Sequence, residues 1–127
     1  MATYRIYLVD DDRFLLDMYA VKFRAQGHEI TAFSSGKDLL ETLKDKPAPD
    51  AMLLDVVMPE IDGFEILEDI RKHNLIPTTK IIILSNQGQD SDIEKAKSLG
   101  AAGYIIKASA IPSEVYTETI SIIEKPV

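Results

Sequence analysis

The run Ala51-Met52-Leu53-Leu54 leads straight into Asp55, and Val56-Val57-Met58-Pro59 follows. Its apolar residues do not alternate with polar ones, as they would in a strand with one wet face, so the run reads as a strand covered on both sides. Ile81-Ile82-Ile83-Leu84, which stops at Ser85, is a second run of the same kind. Strands of this type belong to parallel sheets packed between helices. An aspartate at the end of one is not there for packing, because the residue is rarely buried without a partner.

The remaining segments fit that frame. Tyr4–Val9, His28–Phe33 and Gly103–Lys107 supply three more strands, which makes five with the Asp55 strand and Lys80–Leu84. Between them lie helical patterns. Phe14, Leu15, Met18, Tyr19, Val21 and Phe23 recur at three- and four-residue steps between Arg13 and Ala25, and Gly27 stops that helix. Ser34-Ser35-Gly36 offers an N-cap to a second helix with Leu39, Leu40 and Leu43. Phe64, Ile66, Leu67 and Ile70 mark a third, ending near His73-Asn74. Asp90–Leu99 is a weaker fourth, closed by Gly100. The fifth opens at Ser109-Ala110-Ile111-Pro112, with Pro112 near its first position, and runs to about Lys125. Five strands alternating with five helices over short connections predict one α/β domain spanning residues 1–127, with no output domain in this chain.

The composition narrows the function. Twenty-one acids against 14 Lys and Arg give a net charge of -7, which argues against direct contact with a nucleic-acid backbone and suits cations and basic partner surfaces. There is no cysteine, so no disulfide and no thiolate metal site is available. No apolar run reaches the ~20 residues of a membrane span, and the N-terminus lacks signal-peptide architecture. A cytoplasmic protein with no membrane insertion is the expectation.

In an open parallel sheet, ligands bind beyond the carboxyl ends of the strands. The first strand brings Asp10 and Asp11 to that rim, the third Asp55, the fourth Ser85 and the fifth Lys107. Three carboxylates close together repel one another unless a cation neutralises them, and oxygen ligands alone select a hard ion such as Mg2+. A carboxylate beside such an ion can act as the nucleophile in phosphoryl transfer. The charge on the transferred group calls for a metal, a cation and a hydrogen-bond donor. Asp10 and Asp11 with the ion, Lys107 and Ser85 match those three needs.

Four fragments, in order and at family spacing, make the chain resemble the receiver domains of two-component response regulators along essentially its whole length. They are Leu8-Val9-Asp10-Asp11-Asp12, Leu54-Asp55-Val56-Val57-Met58-Pro59-Glu60-Ile61-Asp62-Gly63, Ile83-Leu84-Ser85 and Gly100-Ala101-Ala102-Gly103-Tyr104-Ile105-Ile106-Lys107. The resemblance implies a (βα)5 flavodoxin-like sandwich of three layers, with a parallel sheet of order 2-1-3-4-5. It implies that Asp55 is the phosphoacceptor, that Asp10, Asp11, Asp55 and the backbone carbonyl of Val57 hold Mg2+, and that Lys107 pairs with the phosphoryl group. It makes Ser85 the hydroxyl that bonds this group and Tyr104 the aromatic switch. The implied partners are a histidine kinase or phosphotransfer protein as donor, and a downstream protein or a second copy on the surface of the fourth helix, fifth strand and fifth helix. No turnover enzyme is expected, only the receiver's own phosphorylation and dephosphorylation.

Three positions bear on how the site would differ from its relatives. The family lysine is usually followed by proline, but Ala108 follows Lys107, so the next loop is expected to take its own path. Asn86 is larger than the small residue expected after the hydroxyl position and narrows access. Val57 and Gln87 are placed to influence the lifetime of the phosphoryl group.

Plainer readings hold elsewhere. Asp12 reads as a helix N-cap and Asp62-Gly63 as a turn, and His28 and His73 receive no role. On the last helix, Ile111, Val115, Thr119 and Ile122 form one apolar stripe, which Tyr116, Ile120 and Ile123 extend. The stripe reads equally as core or, at Tyr116, Ile120 and Ile123, as a partner face. Competing functions are a receiver belonging to a larger regulator or hybrid kinase, an aspartate-nucleophile phosphatase and a flavin module. The phosphatase needs a second acid two residues after its nucleophile, where Val57 stands, and the flavin module needs a hydroxyl- and glycine-rich loop where Asp10-Asp11-Asp12 stands.

Overall fold

The computed structural model describes residues 3–58, 60–86, 88–107 and 111–125. The elements are β1 (Arg5–Val9), α1 (Arg13–Ala25), β2 (Glu29–Phe33), α2 (Gly36–Asp45), β3 (Ala51–Asp55), α3 (Gly63–Lys72), β4 (Lys80–Ser85), α4 (Asp90–Ser98), β5 (Gly103–Ile106) and α5 (Pro112–Glu124). All four strand pairings are parallel, and the order is β2-β1-β3-β4-β5. The expected α/β class and strand order are both present. Ala108, Ser109 and Ala110, which include the departure after Lys107 and the expected opening of the last helix, lie outside the described residues, as do Pro59 and Gln87.

The unalternating runs divide between two cores. Tyr7, Val9, Met52, Leu54, Ile81 and Ile83 face the layer of α2, α3 and α4. Ile6, Leu8, Ala51, Leu53, Ile82 and Leu84 face the layer of α1 and α5. Every residue of β3 is buried, Asp55 included, as the sequence run required.

Helix starts and stops follow local chemistry. The Asp12 carboxylate accepts from the backbone N–H of Phe14 at 3.1 Å and of Leu15 at 3.2 Å. Ser35 caps α2 and Asp62 caps α3 in the same manner. Gly27 (φ 93°) and Gly100 (φ 84°) follow α1 and α4 in the left-handed conformation that glycine adopts freely.

Two helices differ from their sequence reading. In α1 the apolar residues split: Tyr19 and Phe23 enter the core with Leu16 and Ala20, while Phe14 and Val21 are 72% and 67% exposed. In α5, Val115 and Thr119 are buried as expected, but Ile111 is 60% exposed, because it precedes the first helical turn instead of lying on its inner stripe. Tyr116 faces inward. Its ring meets Phe23 edge-on at 5.1 Å and its hydroxyl lies 3.0 Å from His28 Nε2. Tyr116 and Ile123 are half-buried and pack against the core, which gives them the core part of the two readings. His28, given no role from sequence, is buried, and its Nδ1 accepts the backbone N–H of Tyr4 at 3.1 Å. Its work is to tie β1 and β2 to α5.

Candidate functional site: an acidic rim with one lysine

The chain winds out from β1 in one direction and from β3 in the other, so the crevice between these two strands lies at the carboxyl rim. Asp10 leaves β1 with its backbone N–H bonded to the carbonyl of Phe33 at 3.0 Å. Its Oδ1 accepts the backbone N–H of Asp12 at 3.0 Å, which fixes the carboxylate before any ligand arrives. Asp55 ends β3 and is 4% exposed; Asp10 is 2% exposed. Asp11 is exposed on the turn into α1. One carboxylate oxygen of each of Asp10, Asp11 and Asp55 lies within 4.8 Å of the others.

Lys107 stands one residue past β5 and reaches across the rim. Its Nζ lies 2.8 Å from Asp10 Oδ2 and 3.1 Å from Asp55 Oδ1, with all three side chains nearly excluded from water. Asp10 and Asp55 thus share one ammonium, with the exposed Asp11 beside them, and the balance shows in the acidity of Asp55. Burial first, then the charge of Asp10, pushes Asp55 up from 3.8 to about 6, against the pull of Lys107. Burial works against the charged form of Lys107, but its hydrogen bond to Asp10 and the charge of Asp55 outweigh that and raise it overall. A site with this surplus of buried negative charge, oxygen donors only and an accessible third carboxylate fits a hard divalent cation.

Ser85 is buried at the end of β4, in register with Ile106, next to Lys107. Tyr104, on β5 opposite Ile83, is half-buried against the first core. Val57 follows β3 on an exposed loop with its side chain 70% exposed, and Asn86 is exposed at the end of β4. The structure therefore brings Asp10, Asp11, Asp55 and Lys107 into one cluster and sets Ser85 and Tyr104 on the two strands beside it.

Tyr19 was legible only as a core residue. It is 3% exposed on the inner face of α1, and burial, the largest cause, pushes its hydroxyl up; the charges of Lys107, Asp10 and Asp55 also reach it. A phenol seven residues, about two turns, past the Asp12 cap was the available signal. The loop that follows Asp55 is closed by Gly63, whose N–H donates to Val56 O at 2.9 Å. A Cβ on Gly63 would strike the Asp55 carbonyl. Asp62-Gly63, read from sequence as a turn, is instead the N-cap and first residue of α3, and Gly63 packs against the backbone of Asp55 and Val56.

A family model described as the response regulator receiver domain matches residues 6–115. The chain belongs to that family. Among curated proteins, this receiver domain is 33% identical over 102 residues to the transcriptional regulatory protein AfsQ1 of Streptomyces coelicolor, covering 80% of this chain and 44% of that protein. It is likewise 33% identical over 103 residues to the regulatory protein VanRc of Enterococcus gallinarum, covering 81% and 43%. It spans less than half the length of these relatives. Among solved structures, the receiver domain of Francisella response regulator 1452 superposes with a TM-score of 0.84 at 27% identity, over 96% of this chain and 98% of that one. The BeF3-activated DrrB receiver domain gives 0.81 at 27% identity, over 98% and 100%. A CheY-like receiver from Methanospirillum hungatei, at 23% identity and a TM-score of 0.85 over 97% and 95%, shares the fold. No helix among the described residues is long and apolar enough to cross a membrane.

Proposed function

We propose that this receiver domain is a phosphorylation-controlled switch, with Asp55 as its acceptor. The observation that carries the reading is the Lys107 ammonium held between Asp10 at 2.8 Å and Asp55 at 3.1 Å, with Asp11 in reach of both carboxylates. Asp10, Asp11 and Asp55, with the carbonyl of Val57, would hold Mg2+. When bound, the ion neutralises the acids and draws charge from the phosphoryl oxygens. An Asp55 carboxylate oxygen attacks phosphorus and forms a P–O bond as the P–N bond of a phosphohistidine breaks; the bond's electron pair stays with the imidazole. Lys107 offers its ammonium to the equatorial oxygens, and Ser85 adds a hydrogen bond. Tyr104 follows Ser85, and the surface of α4, β5 and α5 changes its preference for a downstream protein or a second copy. A direct nucleic-acid contact is not part of this reading.

A protein donor, a histidine kinase or phosphotransfer protein in the cytoplasm, fits the rim better than a small metabolite does. Phe14, Val57 and Ile111 are 72%, 70% and 60% exposed, and each follows a site residue by two to four positions. Large apolar side chains around a polar crevice suit a protein face.

The test is incubation with Mg2+ and either a small phosphoramidate or an active histidine kinase, followed by intact mass. One added phosphoryl group, absent in Asp55→Asn, is the expected result. Binding of beryllofluoride, the form in which the DrrB receiver was solved, should likewise require Asp55. A wild-type chain that takes up no phosphoryl group from either donor overturns the reading.

A further inference from the structure

The exposed apolar surface of α1 does not stop at the rim. Phe14, Met18, Val21 and Ala25 follow one another at steps of 4, 3 and 4 residues. At 100° per residue they fall within about 60° of arc and form a strip about 16 Å long. Together with Pro112 they line an open groove of about 620 Å³. The buried residues Leu16, Tyr19, Ala20 and Phe23 occupy the opposite side of the helix, so this strip is surplus to the core. Its spacing is that of the d and a positions of a coiled-coil seam.

The flanks of the strip decide what covers it. Asp17 and Lys22, which also line the groove, lie about 70° to either side of its middle line, on opposite edges. They are five residues apart. In two parallel helices that distance joins one edge of the first helix to the facing edge of the second. A second copy of this chain, with its α1 parallel to the first, therefore sets Asp17 beside Lys22 of the other copy, and does so twice by symmetry. Phe14, Met18, Val21 and Ala25 then meet their own counterparts. An antiparallel pairing would put Asp17 near Asp17 and Lys22 near Lys22. The strip is thus complementary to itself in one orientation.

We propose that α1 is a self-association face, on which two copies pack with their first helices parallel and their carboxyl rims at the same end. This face lies on α1, with Pro112 of α5 at its edge, and differs from the one formed by α4, β5 and the rest of α5. A three-turn helix pair is at the low end of interface sizes, below about 1,200 Å², so the dimer is weak and depends on concentration. Phe14 also borders the rim, so a phosphoryl donor and a second copy compete for it; the dimer itself does not depend on that reading.

Sedimentation equilibrium of the full chain from about 10 µM to about 1 mM, with neither Mg2+ nor donor, tests the proposal. The wild type should shift from monomer towards dimer across this range. Asp17→Lys and Lys22→Asp, both surface changes, should each weaken association by about tenfold. An equimolar mixture of the two variants should regain it, and so should a chain carrying both changes. A wild type that stays monomeric overturns the proposal. So do single variants that associate as well as wild type, or a mixture that fails to recover. If the wild type is monomeric and Val21→Asp slows phosphoryl transfer from a kinase, the strip belongs to the donor instead.

Discussion

Asp55→Asn should make the resting protein more stable at neutral pH, although it removes an ion pair. Burial and the Asp10 charge raise Asp55 from 3.8 to about 6 even with Lys107 at 3.1 Å, so the attraction of Lys107 is already counted in that balance. The folded state binds the proton more tightly than the unfolded chain. The stability tied to Asp55 is therefore fully present below pH 3.8 and is lost as pH rises through about 6. Two pH units correspond to about 3 kcal/mol, and allowing for partial solvent screening at the rim leaves about 2–3 kcal/mol above pH 7. Asparagine keeps the shape and stays neutral at every pH. In urea denaturation the two proteins should match near pH 3.5, diverge between pH 4 and 6, and differ by the full amount at pH 8. For a chain of this length the melting temperatures should differ by about 7–10 °C. Saturating Mg2+ should narrow the gap, since a cation supplies the missing charge and binds only the folded site. A gap that does not change with pH, or an Asp55→Asn protein less stable at pH 8, would refute the reasoning.

Further outcomes follow from the same geometry. Gly63→Ala places a Cβ against the Asp55 carbonyl and 2.9 Å from Val56 Cα, so it should cost about 2 kcal/mol in urea and slow phosphoryl uptake by Asp55. Glu60→Gly relieves a left-handed residue (φ 69°) on the loop between β3 and α3 and should gain about 0.5–1 kcal/mol by the same measurement. Lys80 Nζ donates to the carbonyls of Ile122 at 3.0 Å and Ile123 at 2.9 Å, and Lys80→Met should cost about 1–2 kcal/mol and speed amide exchange in the last turn of α5. In α4, amides of the first turn should exchange faster than those of the last, because Gln89 provides no side-chain cap while Arg71 holds the carbonyls of Leu99 and Gly100, each at 2.8 Å; Arg71→Met should flatten that gradient.

Most of the sheet and the rim cluster were legible for one reason: apart from β2, the strands are largely apolar runs, and the polar residue that ends each such run has to lie at the rim. Asp10, Asp55, Ser85 and Lys107 needed no more than that. What periodicity could not give was the direction in which an apolar residue points when a helix carries more of them than the core can use. Phe14 and Val21 in α1 look the same in sequence as Tyr19 and Phe23, yet they face water. Tyr116 read equally as core or partner face because its stripe was already wide. A pairing across 88 residues with His28 turns it inward, and no local pattern records such a contact. Ile111 failed for a third reason: the helix begins after it, and a residue outside a helix does not share the helix's faces.

The long-range polar contacts also divide the molecule in two. Helices α1, α2 and α3 are each capped at the rim end by a side chain, Asp12, Ser35 or Asp62. Neither α4 nor α5 has a side-chain oxygen from its N-cap residue in that place, although Glu114 accepts the Ile111 N–H at 3.4 Å. Both are held at the far end instead, α4 by Arg71 from α3 and α5 by Lys80 from β4. Side-chain caps and captured carbonyls each contribute on the order of 1 kcal/mol, so their placement decides which end of a helix opens first. The acidic cluster thus rests on the half whose rim ends are fastened, which suits a site that must keep Asp10 and Asp55 in fixed geometry. The half assigned to output in the proposed switch is fastened away from the rim, and β4 joins the two: it carries Ser85 at the site and Lys80 under the end of α5. A change at Ser85 would therefore meet least resistance at the rim ends of α4 and α5, while their far ends stay in place.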